Sequence, residues 1–144
     1  MPSHRRLARI AVMQTLFEMD FSAQSGREIK TSPEEILRRN STEVGGEQVD
    51  GMFAQNLLTG VRNHAAEILA AMQAHAPEWP LQRMDRMSRC LLMIGAYELL
   101  FGKDAPPAVV MNEAIEIAKE FGEEESGKFV NGVLNAIAHA DQLH

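Results

Sequence analysis

VVMNEAIEIAKEFGEEESGKFVNGVL, residues 109–134, decides how this chain folds. Val110, Ala114, Ile117, Ala118 and Phe121 recur at helical spacing, and Phe129, Val133, Ala136 and Ile137 do so again beyond a break at Gly122. A glycine there can take the left-handed conformation that ends a helix. Glu123, Glu124, Glu125 and Ser126 then fall where a second helix opens, so carboxylates meet its positive dipole end. The stretch reads as a sharp corner between two helices. Inside the second helix stands Gly132, which costs roughly 1 kcal/mol relative to alanine, so the pattern predicts close approach by another element there. Lys128, Asn131 and Asn135 share the opposite, polar face.

Outward from that corner, composition narrows the class. The 144 residues suit a single domain able to bury a sizeable core. Cys90 is the one cysteine. It excludes an internal disulfide and a multi-thiolate zinc cluster, lies in an apolar run as a buried structural thiol, and points to a reducing, cytoplasmic setting. The longest apolar run, Cys90 to Phe101, is interrupted by Glu98, follows Arg83, Arg86 and Arg89, and falls short of the ~18 residues of a membrane span. Gln14, Glu18 and Asp20 punctuate the N-terminus, so no secretory apolar segment follows its basic residues. With 20 acids against 14 bases, the net charge of −6 argues against broad nonspecific nucleic-acid binding. Any nucleic-acid site must be local.

The charge is asymmetric, because three of the first nine residues are arginine. Residues 4–21 read as an amphipathic helix with Ser3 as N-cap and Ala8, Val12, Leu16 and Met19 along one stripe. At about 100° per residue, Arg5, Arg9 and Arg6 fall within about a third of the circumference, with Met13 and Phe17 on the same flank. Guanidinium groups beside an aromatic ring suit single-stranded RNA, whose phosphates and bases they can hold and stack on. The plain alternative is a solvated face with a core phenylalanine. Arginines at a helix N-terminus oppose the dipole, a local disadvantage that favours a functional reason for them.

Residues 22–48 read as a mobile connection carrying one short helix, opened by Ser32, Pro33, Glu34 and Glu35 and ending near Asn40. Phe53, Leu57, Val61, Ala65, Ile68, Leu69 and Met72 mark a long helix from Gln48 to about His75, bent or divided near Gly60. Pro77 and Pro80, flanking Trp79, end it. A helix enclosed on most sides then runs from Leu81 to about Phe101. Residues 102–105 make a turn, and Pro106 and Pro107 open the next helix where a missing donor is harmless. No strand signal appears, so the fold class is all-α, with six to seven helices.

Catalytic patterns are not found. Gly102, Lys103 and Asp104 lack the spacing of a phosphate-binding loop. His64 and Glu67 lack the carboxylates on other helices that a di-metal bundle needs, and the five histidines give no metal spacing. The residues therefore suggest neither an enzyme nor a cofactor.

Two blocks carry a family resemblance. MNEAIEIAKEFG followed by KFVNGVLN at the corner, and Arg5, Arg6, Ala8, Arg9, Gln14, Leu16 and Phe17 at the N-terminus, resemble the NusB family of bacterial transcription antitermination factors. Leu7 departs from it where a basic residue is frequent, and Phe17 where tyrosine is common. The resemblance implies two helical subdomains packed across one another within a single RNA-binding domain, 1–144. It implies binding to the boxA element of ribosomal RNA leader transcripts, together with the ribosomal protein that doubles as NusE, in the transcription elongation complex. By the same resemblance Arg5, Arg6, Arg9, Gln14 and Phe17 make the N-terminal RNA surface. Lys128 and Asn131 contribute from the last helix, and Glu125 tunes affinity by repelling phosphate. Phe129 matches too, but its apolar stripe gives it a core role. Two other readings stand beside this one. The first is a helical protein-interaction module without RNA binding; the second is a NusB-like domain of an RNA methyltransferase, which would require a truncated chain.

Overall fold

Ser3 opens the first helix as its N-cap, its hydroxyl accepting the Arg6 amide at 3.0 Å. A computed structural model describes residues 3–26, 30–76, 84–122 and 124–142. Among these are seven α-helices and no strand: α1 (His4–Gln24), α2 (Pro33–Val44), α3 (Gly51–Asn63), α4 (Ala65–His75), α5 (Arg86–Tyr97), α6 (Pro107–Phe121) and α7 (Glu124–Gln142). The all-α expectation holds. The expected roles of Pro77, Trp79, Pro80, Leu81, Arg83 and Glu123 lie outside the described residues.

The chain divides into two compact units, Met1–Thr59 and Gly60–His144. In the first, α1 packs on α2, so the helix of the expected mobile connection is held in the unit, while residues 27–29 of that connection lie outside the described residues. Ile36 and Leu37 of α2 are buried. Asn40 does not end the helix: its side-chain amide turns inward to donate to the Thr15 hydroxyl at 3.1 Å, which itself donates to the Ala11 carbonyl at 2.8 Å. Both residues are buried, so pairing them avoids leaving polar groups unsatisfied. α2 then continues one turn further, to Val44. At the surface Arg39 donates to Glu18, and that hydrogen bond, with the carboxylate's charge, raises the arginine's pKa.

In the second unit α5 packs against α4, α6 and α7, and α6 against α7. The long helix divides at His64, four residues beyond Gly60. Gly60 serves another purpose, since a Cβ there would collide with the Tyr97 ring. Asp85 caps α5 by accepting the Ser88 amide at 3.0 Å, which sets its start at Arg86. α5 ends in α form at Tyr97, and Glu98–Gly102 continue as a π turn closed by the Lys103 amide donating to the Glu98 carbonyl at 2.9 Å. Lys103 is left-handed at φ 53°. Cys90 is buried, as read.

The α6–α7 corner exists, with two corrections. Gly122 caps α6 in an extended conformation, φ −136°, rather than a left-handed one. Gly132 is exposed and a Cβ there would meet nothing within 4 Å, so no element among the described residues approaches it. The close approach is elsewhere on the same helix, where Leu134 is fully buried against Gly95 of α5. A Cβ on Gly95 would stand 2.7 Å from a Leu134 methyl. The buried stripe of α7 is Val130, Val133, Leu134, Ile137 and Ala138, a turn of the face that leaves Phe129 half-buried. Likewise Phe121 of α6 is exposed.

Candidate nucleic-acid interface

α1 is buried on more sides than its stripe predicts, because Ile10, Ala11, Met13 and Thr15 join Ala8, Val12 and Leu16 in the interior. This reshapes the expected basic patch. Arg5 is exposed and Arg6 half-buried, but Arg9 is only 3% exposed. The Arg5 and Arg9 guanidinium carbons lie 4.6 and 5.0 Å from the centroid of the Phe53 ring, within cation–π range. Arg5 also faces Asp50, Nε to Oδ2, at 3.9 Å. Arg9 is therefore a packed cation rather than part of a solvated face.

The side of α1 left to solvent carries Arg6, Gln14, Phe17 and Phe21. Phe17 is 39% exposed and Phe21, one turn on, is 48% exposed. Two large aromatics four residues apart share one face of a helix. An exposed aromatic is a stacking surface for an unpaired base. Leu7, at the departure from the family pattern, is half-buried against the turn at Gly45, where a Cβ would meet its methyl at 3.0 Å.

Lys128 is exposed and Asn131 half-buried on α7, as the polar face predicts. Together with Ile115, Lys119 and Gly127 they line a groove of about 260 Å³ between α6 and α7. Lys119 lies 3.5 Å from Glu116 one turn back. Glu125 is exposed one turn before Lys128. Thus Arg5, Arg9 and Phe53 meet within the first unit, and Lys128 and Asn131 meet within the second.

Phe53, Asp50, Phe21 and Lys119 were not singled out by sequence. Phe53 falls on the apolar stripe of its own helix, and nothing in that periodicity says its ring receives cations from another. Phe21 could have been found, since it lies four residues beyond Phe17. Among the described residues no group of three or more histidine, cysteine or acidic side chains is placed to hold a metal. His64 accordingly pairs with Glu67 at 3.0 Å and stacks on Phe101, ring centroids 4.0 Å apart. No helix of the described residues is long and apolar enough to cross a membrane.

Comparison with known proteins places this geometry. A transcription antitermination protein NusB from Desulfitobacterium hafniense is 37% identical over 136 residues, covering 94% of this chain and 88% of that protein. The structure of NusB from T. maritima superposes with a TM-score of 0.78 at 36% identity, covering 96% of this chain and 93% of that one. A crystal structure of antitermination factors NusB and NusE in complex with dsRNA matches with a TM-score of 0.81 at 28% identity, covering 97% of this chain and 99% of that one. The family model described as NusB family matches residues 6–139, and the chain belongs to the NusB family.

Proposed function

We propose that the chain acts in the cytoplasm as a transcription antitermination factor. As one RNA-binding domain over its full length, it binds the boxA element of ribosomal RNA leader transcripts together with a NusE ribosomal protein, within the elongation complex. It performs no catalysis and needs no cofactor. The observation that carries this reading is the concentration of arginine and exposed aromatic side chains on α1 of a chain whose net charge is −6. An acidic protein repels RNA in general, so affinity must come from a local basic surface. Arg5 and Arg6 supply charge, Phe17 a stacking face and Gln14 hydrogen bonds. Lys128 and Asn131 add a second contact from α7. Arg9, being buried, contributes by fixing the end of α1. A complex of a relative with NusE and RNA supports the partnership.

A small basic surface binds weakly alone and gains from a second linked surface. Titrating a boxA-type single strand with and without NusE is therefore expected to show at least several-fold tightening by the partner. The RNA in the relative's complex is double-stranded, so a duplex of the same sequence is a necessary third titration. The aromatic face of α1 favours the single strand, whose bases are free to stack. If NusE neither binds nor changes RNA affinity, the chain is a helical interaction module instead.

A further inference from the structure

We propose that Asp50 and Phe53, at the start of α3, are positioning residues for the arginine end of α1. The Phe53 ring pre-orients the Arg5 and Arg9 guanidiniums, and Asp50 is the carboxylate that an incoming RNA phosphate displaces from Arg5. The inference rests on the RNA reading of α1 given above.

The segment 48–53 holds the start of α1 at four points. The Asp50 amide donates to the His4 carbonyl at 3.1 Å, and the His4 ring meets the Gln48 side-chain oxygen at 3.1 Å. Asp50 Oδ1 accepts the Phe53 amide at 3.0 Å, capping α3, while its other oxygen faces Arg5 Nε at 3.9 Å. The fourth point is the ring itself, 4.6 Å from Arg5 and 5.0 Å from Arg9. One carboxylate thus ties the ring, the helix cap and Arg5 together.

Holding a long side chain in one orientation before binding removes an entropic cost that binding would otherwise meet. A planar guanidinium on an aromatic face suits this, because stacking fixes the plane and leaves the N–H edge directed outward for an acceptor. The Asp50 contact is the weak member. At 3.9 Å, with side chains 46% and 37% exposed, it is a solvated pair. A phosphate can replace it with shorter, bidentate hydrogen bonds. Asp50 would then act as a competitor that keeps Arg5 in place and lowers affinity for weak anions.

The experiment measures single-stranded RNA binding by the full chain across a salt series. Phe53→Leu is expected to weaken binding about three- to tenfold, the size of a partly buried cation–π contact. The log–log salt slope stays at the wild-type value, because the number of phosphates contacted is the same. Phe53→Tyr, which keeps the ring, recovers most of that loss. Asp50→Asn, which keeps an oxygen for the cap, strengthens binding about two- to fivefold at low salt by removing the carboxylate charge that competes with phosphate for Arg5.

The deciding measurement is a double-mutant cycle with Arg5→Ala. In that background Asp50→Asn has no effect and Phe53→Leu a smaller one. Equal effects in both backgrounds would show that Asp50 and Phe53 only support the fold, and would overturn the proposal while the RNA reading stands. If Arg5→Ala and Arg6→Ala bind RNA like wild type, the RNA reading of α1 fails and the positioning role with it. Circular dichroism melting reports folding; should Phe53→Leu not fold, the Asp50 cycle decides alone.

Discussion

The two ends of the chain carry basic side chains in opposite ways. On α1, the Arg5 and Arg9 guanidiniums lie over the Phe53 ring, and Arg9 is buried. On α7, Lys128 is exposed on a polar face, over a groove whose other cation, Lys119, sits beside Glu116. The first arrangement is held by a neighbouring helix, the second only by its own. The difference teaches that a basic stripe on a helical wheel has two physical meanings. A guanidinium with delocalised charge can be packed on an aromatic ring, whereas an ammonium keeps its water.

The largest expected effect separates the buried face of α7 from the open face that carries Lys128. Gly95→Ala in α5 drives a methyl into the side chain of Leu134, which is fully buried. Overpacking of this kind costs about 1–3 kcal/mol, read as a lower urea midpoint or melting temperature. Gly132→Ala, on the open face of α7, is expected to stabilise by about 0.5–1 kcal/mol through helix propensity alone. If both glycines tolerate alanine equally, α5 and α7 are not in close contact at Leu134.

Next comes the split among the arginines. Arg9→Ala removes a packed stem and a cation–π contact, so it is expected to destabilise by about 1–2 kcal/mol. Arg5→Ala, at an exposed position near the helix start, should change stability by under about 0.5 kcal/mol. Thermal melts of the two variants check this directly. Equal melting temperatures would return Arg9 to the solvated face that the helical wheel suggests.

These two contrasts mark what the sequence could carry. Elements defined by their own residues were legible: the caps at Ser3 and Ser32, the prolines at 106 and 107, the corner after Phe121 and the polar face of Lys128 and Asn131. Features that depend on a second element were not. A glycine inside a helix signals open space or a close neighbour with the same letter, and Gly95 and Gly132 are one of each. Asn40 resembles a helix end by type, yet its partner Thr15 lies 25 residues earlier. The arginine repeat at positions 5 and 9 was visible in the chain; the ring beneath it, at 53, was not.

A third prediction concerns RNA on the exposed face of α1. Phe17→Ala should weaken single-stranded RNA binding by about 1 kcal/mol, the low end of a stacking contact, because Phe21 remains beside it as a second ring. The salt slope is unaffected, since no phosphate contact is removed. Removing both rings should cost more than the sum of the single losses if either can serve the same base. Strict additivity would mean that they stack on different bases or that only one of them touches RNA.

The smallest effect tests the comparison between the two ends most directly, because it exchanges side chains without changing charge. Arg5→Lys keeps a cation beside Asp50 but exchanges the planar group over the Phe53 ring for a hydrated ammonium. Its RNA affinity is expected to fall about two- to threefold, with the salt slope held, since one charge still meets one phosphate. Lys128→Arg should change affinity by less than about twofold, because among the described residues no ring lies beneath Lys128 to order the guanidinium and the added donors remain mobile. The pair must be measured at the same salt concentration, as binding that depends on phosphates shifts steeply with it. Were Lys128→Arg to tighten binding as much as Arg5→Lys weakens it, the number of donors would matter at both ends and pre-orientation at neither. An asymmetric result, with loss at position 5 and little change at 128, ties the advantage of arginine at α1 to the ring at Phe53.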